Sequence, residues 1–225
     1  MAKRMKAIPV LVVVAVIVVL ACGFVMLIRS KLIQGDNSTQ AGAVSTPATS
    51  GNSVEQPAND RQTELDRLYQ QGYEYYRQKQ YKNAVATLDR VIAEDSGYYQ
   101  AYTIKGIALC FDGHFDEGMK SIDQALKLKP DYGSARFNKA LAYELYAHYD
   151  TAIYWYDQTI AVEPDSVWSY YGKASIYGRR GDVANAVKNL KQAIALNPEA
   201  KKDARTEPDF NNVRNSPEFQ SLVKD

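Results

Sequence analysis

Chemistry at neutral pH would fall first to His114 and His148, the two histidines of the 225-residue chain, as metal ligands or as a general base. They stand 34 residues apart, and each lies one position before an aromatic residue, Phe115 or Tyr149, that opens a helical run. Recurrence in one column makes them turn residues and not a metal or catalytic pair. Cys110 lies within an apolar helical run and reads as a small packing residue. Cys22 lies in a segment of different character, so no intrachain disulfide is expected. The chain has no phosphate-binding glycine loop, no Cys-x-x-Cys, no His-Glu-x-x-His and no dinucleotide fingerprint. No catalytic residue, cofactor or metal site is therefore expected. What remains is contact chemistry: all 17 tyrosines lie between Tyr69 and Tyr177, each an apolar ring with one polar tip.

The elements that must position these rings repeat every 34 residues. Gly72, Gly106, Ala140 and Ala174 form one column of small residues, and Ala84, Gly118, Ala152 and Ala186 form another. Leu88, Ile122, Tyr156 and Leu190 form a third; Ser96, Pro130, Pro164 and Pro198 form a fourth. Each unit divides into two helical stretches. In the second unit Tyr102, Ile104, Ile107, Ala108, Leu109 and Phe111 have helical spacing, and Gly113 supplies a stop. Phe115, Met119, Ile122, Ala125, Leu126 and Leu128 then resume the period until Lys129-Pro130 ends it. The small columns have a physical reason, since two antiparallel helices approach closely only where side chains are short.

This unit resembles the tetratricopeptide repeat, W-x2-L-G-x2-Y, then A-x3-F, then P. Tyr170, Lys173, Ala174, Tyr177, Ala186, Leu190, Ala193 and Pro198 carry the best match; Tyr102, Gly106, Leu109, Gly118, Ile122, Ala125 and Pro130 match nearly as well. Leu68 and Arg136 depart from the bulky aromatic column, Thr159 from a usual Ala and Ser96 from the proline. The resemblance implies an all-α, right-handed superhelix of four helix-turn-helix units over 61–200 (65–98, 99–132, 133–166 and 167–200), stacked around a continuous core. Residues 201–225 then form a C-terminal capping segment. Within it Ser216-Pro217-Glu218 starts a helix, Phe219, Leu222 and Val223 lie over the last unit, and Phe210 and Val213 anchor the preceding turn.

The resemblance also implies a concave groove lined by the first helix of each unit. Carried over, its residues are Tyr69 and Tyr73; Gln100, Thr103 and Ile107; Ser134, Phe137, Asn138 and Leu141; and Trp168, Tyr171 and Ser175. Tyr75, Tyr81, Tyr143, Tyr149 and Tyr177 fall in columns used for internal packing. An aromatic, uncharged stripe suits an apolar or amphipathic peptide. Some family members grip a carboxyl terminus with Lys, Arg and Asn; here Tyr69 and Tyr73 stand at two of those places and only Asn138 is compatible. The alternative occupants of the stripe are the protein's own tail and a second copy of the chain.

The amino-terminal residues differ from all of this. From Ala7 to Ile28 there are 22 consecutive residues without a charge, between Lys3, Arg4 and Lys6 on one side and Arg29 and Lys31 on the other. A helix of that length spans roughly 33 Å, enough for a hydrocarbon core of roughly 30 Å. Residues 1–33 are expected to be a cytoplasmic stub and transmembrane signal-anchor helix, with the repeat domain extracytoplasmic. Val18 to Cys22 also resembles a lipobox, which would lipidate Cys22, and a cleaved signal peptide is a further rival. The apolar run continues past Cys22, which favours the uncleaved anchor. Residues 34–60, rich in Ser, Thr, Gly and Pro and without Lys, Arg or an aromatic residue, read as a disordered linker.

Residues 61–225 hold 22 Lys plus Arg against 23 Asp plus Glu, which removes the basic field needed for nucleic acid. The expected function is a membrane-anchored protein–protein interaction scaffold or adaptor, not an enzyme, that binds a protein or peptide partner in its groove. The alternative is a self-associating, homo-oligomeric or lipoprotein-type structural component of an envelope assembly.

Overall fold

A computed structural model describes residues 55–224. The membrane segment expected over 1–33, its orientation and the processing of Cys22 lie outside the described residues, as does the linker up to residue 54. Among the described residues no helix is long and apolar enough to cross a membrane.

Four antiparallel helix pairs follow one another: α1 (Glu55–Arg77) with α2 (Tyr81–Glu94), α3 (Tyr99–Phe111) with α4 (Phe115–Leu128), α5 (Gly133–Leu145) with α6 (Tyr149–Val162), and α7 (Val167–Arg179) with α8 (Val183–Leu196). A short α9 (Ala200–Thr206), a 3-10 turn (Pro208–Phe210) and α10 (Pro217–Val223) close the chain. One boundary differs from expectation. Helix α1 begins at Glu55, inside the stretch 34–60 read as disordered linker. Pro57 falls in the first turn, where its missing N–H removes no helix bond, and Arg61, Gln62 and Glu64 are good helix formers. The polarity that made the segment look like a linker is compatible with the first turns of a helix.

Close packing within a unit depends on the small columns. A Cβ on Gly106 would lie 2.7 Å from the Gly118 carbonyl oxygen, and one on Gly118 would lie 2.6 Å from that of Gly106, so α3 and α4 touch backbone to backbone. Ala84, Ala152 and Ala186 fill the same column fully buried. Every first-to-second helix turn carries a residue of positive φ at one position of the repeat: Lys79 (60°), Gly113 (94°), Ala147 (61°) and Gly181 (73°).

Units are joined by a recurrent ion pair. Lys105 binds Asp89, Lys139 binds Asp123 and Lys173 binds Asp157, each at 2.5 Å between Nζ and Oδ1, and each from the first helix of one unit to the second helix of the unit before. The first unit has Gln71 at the lysine position and the last has Lys191 at the aspartate position. Arg136, in the column where an aromatic residue belongs, caps backbone instead: it donates to the Pro130 carbonyl and, at 2.9 Å, to that of Gln158.

The buried apolar side chains form three groups instead of the one continuous core expected. One spans the first two units into α5; a second holds Ala140, Ala152, Tyr156 and Ile176; a third joins the fourth unit to the tail. As expected, Phe210, Val213, Phe219 and Val223 are buried in that last group, and Ser216 caps α10 by accepting from the Phe219 N–H at 3.3 Å.

Candidate functional site

First helices contact one another along the array (α1 with α3, α3 with α5, α5 with α7), whereas consecutive second helices barely meet. The array therefore curves around its first helices, and their unpaired face is concave. Where α3, α5 and α7 end, that face opens into a cleft of ≈ 380 Å³. Phe111, Leu141, Leu145, Ala147 and Tyr149 give it an apolar side. Its other side is polar: Glu144, Arg179 and, from the tail, Asp209, Asn211 and Asn212.

One guanidinium organises the polar side. Arg179 donates through Nε and Nη2 to the two oxygens of Asp209 at 2.7 and 2.6 Å, and its Nη1 lies 3.0 Å from Glu144 Oε1. The remaining Glu144 oxygen accepts from the Tyr156 hydroxyl at 2.6 Å. Three helices and the tail thus meet at one ionic cluster, whose carboxylates are both nearly inaccessible: Glu144 is 5% and Asp209 3% exposed. Burial raises the Glu144 carboxyl above its ordinary range despite the nearby charge of Arg179. Burial opposes the Arg179 charge, but the bonds to Asp209 and the Glu144 charge outweigh it and hold the guanidinium protonated. Glu207, two residues before Asp209, is pushed up to about 7 by burial and by the neighbouring charge of Asp209.

The tail reaches this cluster because α7 lets it come close. A Cβ on Gly178 would lie 2.7 Å from the Asp209 carbonyl oxygen and 2.8 Å from the Phe210 ring. Phe210 stands edge-on to Tyr171 with ring centroids 5.7 Å apart, and Asn212 donates to the Arg179 carbonyl at 2.7 Å.

Tetratricopeptide-repeat models match residues 68–97, 105–166 and 169–199. The folded part of the chain is a tetratricopeptide-repeat array. Solved structures with the same fold include PilW, titled a widely conserved type IV pilus biogenesis factor, at TM-score 0.57 and 21% identity over 72% of this chain and 78% of that one. MamA from Desulfovibrio magneticus RS-1 aligns at TM-score 0.54 and 20% identity over 71% of this chain and 89% of its own. The structure of Naa15/Naa10 bound to HypK-THB aligns at TM-score 0.54 and 16% identity over 71% of this chain and 24% of its own. At these identities the likeness is one of fold. No curated protein matches the sequence significantly.

Within the tetratricopeptide array the expected groove residues divide by burial. Tyr69, Thr103, Ile107, Asn138, Leu141, Tyr171 and Ser175 are buried; Tyr73, Gln100, Ser134, Phe137 and Trp168 are half-buried. Thr103 and Ile107 are fully buried core residues, because neighbouring first helices pack across that stripe, and Thr103 donates back to the Tyr99 carbonyl at 3.0 Å. Tyr171 is covered by the protein's own tail. Leu141 alone of the twelve lines the cleft. The packing tyrosines are also redistributed: Tyr75, Tyr81, Tyr143, Tyr149 and Tyr177 are half-buried, while Tyr69, Tyr76, Tyr156 and Tyr171 are buried.

His114 and His148 immediately precede α4 and α6 as exposed turn residues. Cys110 is buried, its thiol pushed up to about 12 by burial, which suits packing and not nucleophilic chemistry. Sequence reading missed Glu144, Arg179 and Asp209. One signal was available: Glu144 interrupts the apolar run Leu141-Ala142-Tyr143 on an inner helix, and a buried carboxylate demands a partner.

Proposed function

We propose that this protein is a membrane-tethered adaptor that receives an extended segment of a protein partner on the concave face of its repeats. The observation that carries this reading is the cleft of ≈ 380 Å³ at the ends of α3, α5 and α7, with one apolar and one preorganised polar wall. Half-buried Tyr73, Phe137 and Trp168 supply aromatic surface elsewhere on the first helices. The role of the repeat family in protein–protein interaction supports the same conclusion. The uncharged run Ala7–Ile28 and its basic flanks support a single-pass anchor with the repeats on the outer side of the membrane.

The test is capture of partners from detergent-solubilised membranes by the full chain and by a Tyr73→Ala, Phe111→Ala, Leu145→Ala variant that retains its helical circular dichroism. Partners held by the native chain and released by the variant support the proposal. Identical capture by both refutes it.

A second reading, self-association, has one observation in its favour. Leu128, Val162 and Leu196, one in each of the last three units in a single column at the end of the second helix, are 39%, 36% and 42% exposed. Sedimentation of the full chain with and without Leu128→Ser, Val162→Ser and Leu196→Ser decides it, since a row used for assembly must yield monomer when made polar.

A further inference from the structure

We propose that the outer face of the last three units, formed by the exposed sides of α4, α6 and α8, rests on an anionic lipid surface with Tyr154 at its centre. The inference rests on the single-pass tether proposed above and adds how the repeats stand on the membrane that holds them.

The second helices lie on the side of the array away from the concave face. One column of the repeat places Lys120, Tyr154 and Lys188 at equal positions on α4, α6 and α8. Tyr154 is 54% exposed and stands edge-on to Trp155, with ring centroids 5.5 Å apart. Between this column and the helix ends come the exposed apolar row of Leu128, Val162 and Leu196 and two further exposed cations, Lys127 and Lys191. None of these four lysines forms an ion pair among the described residues. The one exposed acid in the same stretches, Asp157, is held by Lys173 at 2.5 Å. Asp116 and Glu117 lie at the opposite end of α4, and Glu163 and Asp165 follow the end of α6.

An amphipathic ring at headgroup level, beside lysines whose stems cross apolar surface while their ammonium groups meet phosphate, makes a surface suited to a membrane interface. A second copy laid face to face would bring the same lysines together, with no free carboxylate in the stretch to receive them. The tether brings the lipid within reach. From Ile28 to the start of α1 there are 26 residues, which span at most about 90 Å when fully extended. Held at that distance, even a weak contact is favoured by its effective concentration. With the outer face on the lipid, the concave face and its cleft open away from the membrane, toward a partner.

The experiment reconstitutes the full chain into vesicles of phosphatidylcholine, with or without phosphatidylglycerol. Mass spectrometry then follows acetylation of each lysine by a membrane-impermeant reagent. Flotation of the chain with the vesicles after a high-salt wash reports the tether separately. With phosphatidylglycerol present, Lys120, Lys127 and Lys188 should react about fivefold more slowly than in its absence. Lys79, exposed in the first unit and outside the face, should react at one rate in both. Tyr154→Glu, a change at an exposed position, should abolish the slowing. Equal rates in both kinds of vesicle, equal slowing of Lys79, or slowing that survives Tyr154→Glu overturns the lipid face. Slowing that rises with protein density in neutral vesicles also overturns it and makes a second copy the occupant. Each of these results leaves the tether standing, whereas loss of the chain from the vesicles in the wash overturns both.

Discussion

Glu207 is 3% exposed, and its Oε1 is buried without a hydrogen-bond partner, as is the Tyr171 hydroxyl. Its protonated form is favoured because an ionised one would face Asp209 and Glu144 in a desolvated site where Arg179 is already committed. The sign follows from the direction of the shift. A carboxyl raised from an ordinary 4.5 to about 7 binds its proton more tightly when folded, so its contribution is complete below 4.5 and disappears as pH rises through 7. Between pH 5.5 and 8.5 the docked tail should lose about 2 kcal/mol from this group. Glu144, raised by burial as well, contributes with the same sign. Urea denaturation followed by the fluorescence of Trp155 and Trp168 should show this loss, and Glu207→Gln should flatten most of it; an unchanged slope would place the Glu207 carboxyl in water. None of this was legible from spacing. Arg179, Glu144 and Asp209 are brought together by the return of the tail, a tertiary event that leaves no period in the sequence.

Between helices, the turn that reverses each unit repeatedly requires a left-handed residue. Two units use glycine, whereas Lys79 and Ala147 adopt φ of 60° and 61° with a Cβ that crowds the following carbonyl. Replacing exposed Lys79 by Gly should therefore stabilise the protein by about 0.5–1 kcal/mol, the left-handed strain removed less the added freedom of the unfolded chain. Gly113→Ala should destabilise it by a similar amount. Thermal denaturation of both variants checks the pair, and a loss of stability in Lys79→Gly would show that the turn tolerates a side chain without strain. Helix boundaries from Tyr81 to Leu196 were readable because glycine, proline and small residues recur at fixed offsets. The beginning of α1 was not, since it lies before the first complete unit, where no column of the repeat marks it. The stripe was readable as a face but not as a surface: periodicity identifies which residues look inward, and only the spacing of neighbouring helices decides that Thr103 and Ile107 are closed over.

Across the molecule the packing is uneven. Apolar groups fill the first two units and the junction of the fourth with the tail, but the third is held in part by Glu144, Tyr156, Arg179 and Asp209. Helix α6 buries Ala152, Tyr156 and Thr159, against Gly118, Met119, Ser121, Ile122 and Ala125 in α4. Amides of α6 should consequently exchange about tenfold faster with solvent deuterium than those of α4, while uniform protection would mean that the ionic cluster couples the halves as firmly as apolar contact. The cleft sits at this polar junction, so a partner side chain seated there would brace the array where its own packing is thinnest.

The lysine–aspartate pairs carry a further consequence for how such a chain can change in length. Duplicating the stretch 99–132 within the array would supply one more lysine and one more aspartate in the right places, and every junction would again find its complement. A unit appended at the far end would bring its lysine against Lys191, and one placed in front would offer its aspartate to Gln71. The array can grow by copying its middle but not by extending its ends, so its two terminal units act as bookends written in single residues.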